Sequence, residues 1–265
     1  MQRPDTFTIN PEHHLANGLV FAGLGNLAGT THYHDSSVFG NHGTLTNMDS
    51  ATDWVSALGR RALDFDGSND YTSVQYSLAL PLSIAAWIYF ADDAATVWSV
   101  SVNDVTASTK QYAIGRATPA GLDFSVGCFE RNGTFYGSGI ASASLAFPSW
   151  RHVVGIFRAT DNRQAFIDGK PATAGTNSIT AHAAATIDIG RLGDDSPSYA
   201  ASIITDACVY NRTLSLPEIQ QLADPSNVML SGLILPPQRK WWPVVSGATS
   251  IIPRIMRHRK MIGVS

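Results

Sequence analysis

The chain has 265 residues, of which 44% are hydrophobic and 15% are charged, and it contains 22 glycines and 13 prolines. This loop-rich composition excludes a coiled coil and a disordered chain, and the length fits one β-sandwich domain with an appendage. The net charge of −3 hides an asymmetry, because all 21 acidic residues lie at or before Asp224 and six of the 18 lysines and arginines follow it. We therefore expect an acidic body and a basic tail.

The N-terminal segment, residues 1–17, is polar and predicts an arm. It has no apolar core of signal-peptide length, and no later stretch is long enough to span a bilayer. Residues 18–27 (GLVFAGLGNL) predict a first strand with glycine bends. A polar loop follows at 29–41 (GTTHYHDSSVFGN), whose Asx and Ser/Thr side chains favour turns in which carbonyl and carboxylate oxygens converge.

The segment 60–74 (RRALDFDGSNDYTSV) predicts two half-buried strands joined by an acidic turn. The strands hold the turn in place, and the turn presents Asp66, Asn69 and Asp70 to solvent. Because binding residues are often carried by loops on a rigid scaffold, these three side chains are candidates for ligand binding.

Further strands are predicted at short intervals, at 80–90, 96–102, 111–115, 122–129, 134–140, 152–157, 163–167, 186–190 and 201–210. Asp168-Gly169 is a hairpin signal, because a type I′ turn needs positive φ at both central positions. Strands at this spacing with no helices between them predict an antiparallel two-sheet sandwich.

The C-terminal part changes character after the last strand. Ser215 and Glu218 have capping-box spacing, with a proline in the first turn, and predict a short helix that Pro225 ends. Residues 225–265 then combine prolines, six cations and apolar side chains that include Trp241 and Trp242. Because interface cores favour tryptophan and arginine, we expect an extended tail that docks into a protein assembly and does not bind nucleic acid.

The two cysteines, Cys128 and Cys208, both lie in strand-like runs far apart in sequence. We expect packed free thiols, although a disulfide between them stays open as an alternative.

Seven short motifs occur in an order and spacing that resemble the laminin-G-like, concanavalin A-like jelly-roll family, in its bacterial and phage subgroup. They are DSSVFGNHGTL at 35–45, ALDFDGSNDYTSV at 62–74, LSIAAWIYF at 82–90, WRHVVGIF at 150–157, AFIDGK at 165–170, IDIGR at 187–191 and DACVYNRTLSLPEIQQL at 206–222. The resemblance implies an all-β jelly roll over residues 18–224, between the arm and the tail.

The same resemblance implies a structural Ca²⁺ at one edge of the sandwich. Asp35, Asp206 and backbone carbonyls near Asn41 would supply the oxygen ligands that this ion prefers. The family usually has two adjacent acids before the final strand, whereas this chain has Thr205 in the first of those positions. His32, His34 and His42 in the same loop could bind a transition metal, but hydrogen bonding within a polar loop is the commoner use of such histidines.

Enzymes with this fold use a pair of carboxylates across a cleft. Here the glutamates are Glu12 in the arm, Glu218 in the helix cap, and an isolated Glu130. Asp64 and Asp66 share a strand face, but non-catalytic members carry this pattern too. The sequence therefore favours a protein that is not an enzyme.

The function expected from these features is that of a phage virion component, such as a capsid or tail decoration protein. It would be held by residues 226–265 in an assembly, in many copies or as a homo-oligomer, and would display the jelly roll for adhesion or glycan binding. The alternatives are a soluble carbohydrate-binding lectin, which would reach the outside of the cell by a non-classical route, and a glycoside hydrolase.

Overall fold

The computed structural model describes residues 3–4, 7–24, 29–92, 96–104, 110–132, 134–179, 184–193 and 198–236. The first ten strands are β1 (Thr8–Ile9), β2 (Leu19–Gly23), β3 (His32–Tyr33), β4 (Gly43–Thr46), β5 (Trp54–Ala57), β6 (Arg60–Asp66), β7 (Tyr71–Leu78), β8 (Leu82–Phe90), β9 (Val97–Asn103) and β10 (Lys110–Ala117). The next ten are β11 (Ser125–Asn132), β12 (Thr134–Ala141), β13 (Ser149–Ala159), β14 (Asn162–Ile167), β15 (Lys170–Pro171), β16 (Ala184–Ile189), β17 (Arg191–Leu192), β18 (Ser198–Tyr199), β19 (Ala201–Tyr210) and β20 (Ile234–Leu235). The helices are α1 (Leu216–Leu222) and three 3₁₀ turns at His14–Ala16, Ser142–Ser144 and Leu230–Gly232.

Most of these strands form two antiparallel sheets that pack face to face. Sheet A has the strand order β12-β11-β10-β9-β16-β7-β4-β3, and sheet B has the order β15-β14-β13-β8-β19-β6-β5, with β2 also paired to β19. The predicted antiparallel jelly-roll sandwich with one short C-terminal helix is therefore confirmed. Among the described residues, no helix is long and apolar enough to cross a membrane.

The main core lies between the two sheets, because alternate residues of each strand point inward. On sheet A these include Val74, Val100 and Ile187, and on sheet B they include Ile84 and Val153. The alternation of apolar residues in these strands therefore matches the face that each side chain occupies.

The predicted Asp168-Gly169 turn joins β14 to β15 with Ile167 paired to Lys170. Its two residues have φ values of 51° and 76°. The positive values are those that a type I′ turn demands, so the hairpin prediction is confirmed.

The outer face of sheet B is covered by a second apolar cluster. It contains side chains from the N-terminal segment, sheet B, α1 and the stretch after α1: Leu15, Leu19, Ala22, Leu24, Ala85, Val154, Ile156, Phe166, Cys208, Tyr210, Leu214, Ile219, Leu222, Leu230, Leu233 and Ile234. In addition, β1 pairs with β20. The described parts of the predicted arm and of the predicted tail, up to residue 236, are therefore packed on the domain.

Both cysteines are buried free thiols, as expected. Cys128 lies in the core between the sheets and Cys208 lies in the cluster outside sheet B. Burial raises the pKa of the Cys128 thiol to about 12, so this thiol stays protonated at neutral pH.

Candidate ligand-binding face

The outer face of sheet A differs from the covered outer face of sheet B. The residues that alternate with the core side chains of β7 are Tyr71, Ser73 and Gln75, which are half-buried or exposed. The neighbouring strand β16 contributes Asp188 to the same face, because Asp188 pairs directly with Ser73. Polar side chains therefore lie beside an aromatic ring on this face, with Asp188 itself buried.

A compact group on this face, which we call the platform, consists of Tyr71, Ser73, Asp188, Arg191 and Tyr199. The Arg191 guanidinium carbon lies 3.6 Å from the centre of the Tyr71 ring. The Tyr199 ring centre is 6.3 Å from that of Tyr71. Both tyrosines and the arginine are half-buried, so they offer flat surfaces and polar tips at the same place.

A hydrogen-bond network beneath the platform fixes its polar groups. Asn103 donates its side-chain amide to Asp188 Oδ2 at 2.8 Å and to Ser101 Oγ at 2.9 Å. Ser101 Oγ in turn donates to the backbone carbonyl of Arg191 at 2.9 Å. Arg191 Nη2 also lies 3.4 Å from Asp188 Oδ1. Because each member is held by another, the platform is arranged before any ligand arrives.

The acidic turn predicted at 66–70 lies at the end of the platform, since Tyr71 follows it directly. Asp66 Oδ1 accepts hydrogen bonds from the backbone N–H groups of Ser68 at 2.7 Å and Asn69 at 3.3 Å. The bond from Ser68 is the main reason that the pKa of Asp66 is lowered. Asp66 and Asn69 are exposed, so both can face a ligand.

Asp70, the third predicted ligand residue, has a different place. It is buried, and its carboxylate accepts a hydrogen bond from the backbone N–H of Asp66 at 3.2 Å. Burial raises the pKa of Asp70 above its ordinary value. The Asp70 side chain therefore stabilises the turn from its buried side.

Gly190 brings the turn and the platform together. Its φ is 86°, and a Cβ atom at this position would lie 2.3 Å from the Phe65 ring and 3.0 Å from the Asp70 carbonyl oxygen. Only glycine fits this close approach at positive φ, so the glycine sets the position from which Arg191 reaches Tyr71.

The predicted calcium ligand Asp206 has a different set of partners. Its buried carboxylate is bound by the guanidinium groups of Arg3 and Arg60. Burial alone would raise the pKa of Asp206, but the two arginines outweigh burial and lower it. Two cations already neutralise this carboxylate, so the residues present at Asp206 do not fit a divalent ion.

Asp35 and Asn41, the other predicted ligands, lie in one hydrogen-bonded loop. The Asp35 carboxylate accepts bonds from the backbone N–H groups of Ala22, Ser37 and Asn41 at 2.9, 2.8 and 2.9 Å. Asn41 thus contributes a donor to this site, and the carboxylate acts as the centre of a turn. Among the described residues, no group of three His, Cys, Asp or Glu side chains is placed to hold a metal ion.

The loop histidines take part in the same local structure. His42 Nδ1 accepts the backbone N–H of Asp35 at 3.1 Å, and the His42 ring lies 4.4 Å from that of His34. This is the hydrogen-bonding use that the sequence favoured.

Glu130, the isolated glutamate considered for hydrolysis, lies between the sheets. Its Oε2 is 2.6 Å from Arg163 Nε, and both side chains are 0% exposed. Burial is the main reason that the pKa of Glu130 is raised. A carboxylate enclosed in this way has a structural role in the core.

Sequence reasoning placed the turn at 66–70 but missed Asp188, Arg191 and Tyr199. Asp188 and Arg191 lie in the motif IDIGR, which by itself predicts a strand. The useful signal was the alternation of Asp188 with Ile187 and Ile189, which puts a carboxylate opposite the core.

A two-sheet antiparallel jelly-roll sandwich is an architecture that lectin domains share. The model of the concanavalin A-like lectin/glucanases superfamily matches residues 66–220. This match covers more than half of the chain, and the chain belongs to that superfamily. No curated protein matches the sequence.

Solved structures share the fold at low sequence identity. Domain 4 of the extracellular GH43 arabinanase AbnA from Geobacillus stearothermophilus, in complex with arabinotriose, has a TM-score of 0.55 and 16% identity, over 77% of this chain and 100% of that domain. The receptor binding domain of botulinum neurotoxin C/D mosaic serotype has a TM-score of 0.57 and 12% identity, over 78% of this chain and 51% of that domain. Trypanosoma rangeli sialidase has a TM-score of 0.52 and 14% identity, over 77% of this chain and 32% of the sialidase. At these identities the likeness shows the fold alone.

Proposed function

We propose that the protein is a non-catalytic glycan-binding module and that the platform with its adjacent turn is the binding site. The observation that carries this proposal is the stacking of the Arg191 guanidinium group on the Tyr71 ring, with Arg191 held by the buried carboxylate of Asp188, on the outer face of sheet A. The solved complex of the arabinanase domain with arabinotriose, which has the same fold, supports the choice of ligand class.

The chemistry of the platform suits a saccharide. A sugar ring has an apolar face of C–H groups, which packs on aromatic rings, and a rim of hydroxyl groups, which exchange hydrogen bonds with carboxylate and guanidinium groups. Tyr71 and Tyr199 supply the first kind of contact, and Arg191 supplies the second, while the buried carboxylate of Asp188 orients the guanidinium group. The exposed side chains of Asp66 and Asn69 would reach hydroxyl groups of a neighbouring sugar unit.

Replacing Tyr71 by alanine is expected to weaken binding about tenfold or more, because a central aromatic contact is lost. A glycan array would first identify a bound saccharide, and titration calorimetry would then compare the variant with the natural protein. Tyr89→Ala is the matched control, since Tyr89 is a half-buried tyrosine in sheet B. Equal affinity of Tyr71→Ala and the natural protein, or an array with no bound glycan, would contradict the proposed site.

A second role, display on a phage particle, is supported by the place where the described part of the chain leaves the domain. The described body closes at Leu235, where β20 pairs with β1 beside the covered face of sheet B. Attachment to a capsid or tail assembly would therefore fall to residues 237–265, which carry Trp241 and Trp242 and lie outside the described residues. The platform would then point away from the particle.

A chain truncated after Pro236 is expected to keep its fold and any glycan affinity but to lose incorporation into particles. The cut leaves the β1–β20 pair intact, whereas truncation after Asp224 would remove Leu230, Leu233 and Ile234 from the second apolar cluster. The longer deletion is the control that separates loss of attachment from loss of stability. Normal incorporation of the chain that ends at Pro236 would rule out the tail as the anchor.

A further inference from the structure

The buried carboxylate of Asp206 lies in a pocket built around guanidinium groups. Asp206 has a φ of 52° at a bulge in β19, where the register with β8 shifts between Thr205 and Cys208. A left-handed backbone at an aspartate is uncommon, and here it accompanies a carboxylate that is only 6% exposed. The bulge changes the direction of this side chain in a strand in which Asp206 is the charged residue.

Arg3 fills the pocket with its whole guanidinium group. Its Nη1 and Nη2 atoms bind the two carboxylate oxygens of Asp206, with Nη2 at 2.8 Å from Oδ2. Its Nε donates to the carbonyl of Val228 at 2.7 Å, and Nη1 also donates to the carbonyl of Leu24 at 2.8 Å. A planar fork with five donors matches this arrangement of acceptors, whereas a lysine ammonium would not.

Arg60 completes the cluster from the neighbouring strand β6. Its Nε donates to Asp206 Oδ2 at 2.8 Å, and its Nη1 donates to the carbonyls of Leu58 at 2.9 Å and Pro225 at 3.2 Å. Residues near both ends of the described chain are thereby tied to neighbouring strands, Arg3 to β19 through Asp206 and Pro225 to β6 through Arg60. The contacts join Asp206 to two arginines that lie 146 and 203 residues before it in sequence.

We propose that the Asp206 pocket is a guanidinium-binding site, filled by Arg3 of the same chain, which fastens the N-terminal segment and residues 225–228 to sheet B without a divalent cation. The pocket accepts a planar cation through paired hydrogen bonds, and it rejects calcium because Arg60 already contributes a positive charge. This role does not depend on the glycan platform, which lies on the other sheet.

The test is thermal unfolding of the full chain with Arg3→Ala. The midpoint is expected to fall by roughly 10 °C, since one partner of a buried charge pair has been removed. Adding millimolar methylguanidinium should restore part of the loss, whereas methylammonium at the same concentration should not. Arg158→Ala is the matched control, because Arg158 is exposed and makes one side-chain hydrogen bond of 3.3 Å, and its midpoint should change little.

Two further measurements keep the proposal testable if Arg3→Ala does not fold. Arg3→Lys retains the charge but loses the paired geometry, so its midpoint should still lie below that of the natural protein. The natural protein should unfold at the same temperature in calcium and in EDTA. An unchanged midpoint for Arg3→Lys, equal rescue of Arg3→Ala by both cations, or a midpoint of the natural protein that calcium raises and EDTA lowers would overturn the proposal.

Discussion

Replacing Arg163 by methionine is expected to lower the free energy of unfolding by about 3–5 kcal/mol, because it leaves the Glu130 carboxyl group buried without its partner. The two side chains meet at 2.6 Å between the sheets, and neither is exposed. Arg163 Nη2 also donates to the carbonyl of Thr160 at 3.2 Å, so the substitution breaks a second contact. Urea denaturation followed by fluorescence would measure the change.

The double variant Arg163→Met with Glu130→Met is the informative control. Because both charges are then removed, much of the lost stability should return, as it does when a buried ion pair is replaced by apolar side chains of similar size. A single variant as stable as the natural protein would show that the pair is not held as described. If the double variant loses more stability than the two single variants lose together, the charges are needed in the core.

Acid is expected to destabilise the protein below about pH 6.5, through His152. This histidine is buried beside Trp87 with a ring distance of 5.2 Å, and burial lowers its pKa from 6.5 to about 3. The nearby charges act in opposite directions, since Asp206 raises this pKa and Arg60 lowers it. The unfolded chain binds a proton at this residue as the pH falls through 6.5, while the folded chain does not until about pH 3.

Between these two pH values, the loss from His152 should approach about 1.4 kcal/mol per pH unit. His152→Gln should remove this part of the slope, whatever its effect on stability at pH 7. Unfolding measured in urea at several pH values would test the prediction. His14→Gln is the control, because His14 is an exposed histidine in the 3₁₀ turn of the N-terminal segment. Its ring is hydrogen-bonded to Gln221. Identical pH slopes for His152→Gln and the natural protein would contradict the prediction for His152.

The parts of the fold that the sequence predicted are those fixed by local rules. Alternation marked the core face of strands such as β8 and β16, and the Asp168-Gly169 pair marked its turn, because each signal depends on neighbours in the chain. The strands 62–74 with their acidic turn were found for the same reason.

The parts that escaped depend on pairing between distant residues. The platform exists because β16 lies beside β7, which places Asp188 opposite Ser73, and strand order cannot be read from one strand at a time. The ion pair of Asp206 is of the same kind, since nothing near this residue in sequence indicates that Arg3 reaches it. The pairing of Ile234 with Ile9 also joins residues from opposite ends of the described chain.

Strand β19 pairs with β8 along one edge and with β6 and then β2 along the other, so three other strands meet on it. The contacts that close the chain and the Asp206 pocket both lie on sheet B. The platform is built from β7, β16 and the paired strands β17 and β18 on the side of sheet A. This separation makes the two halves of the molecule independently variable. Substitutions on the platform need not disturb the contacts that close the fold, so the surface of this face can vary while the architecture is kept.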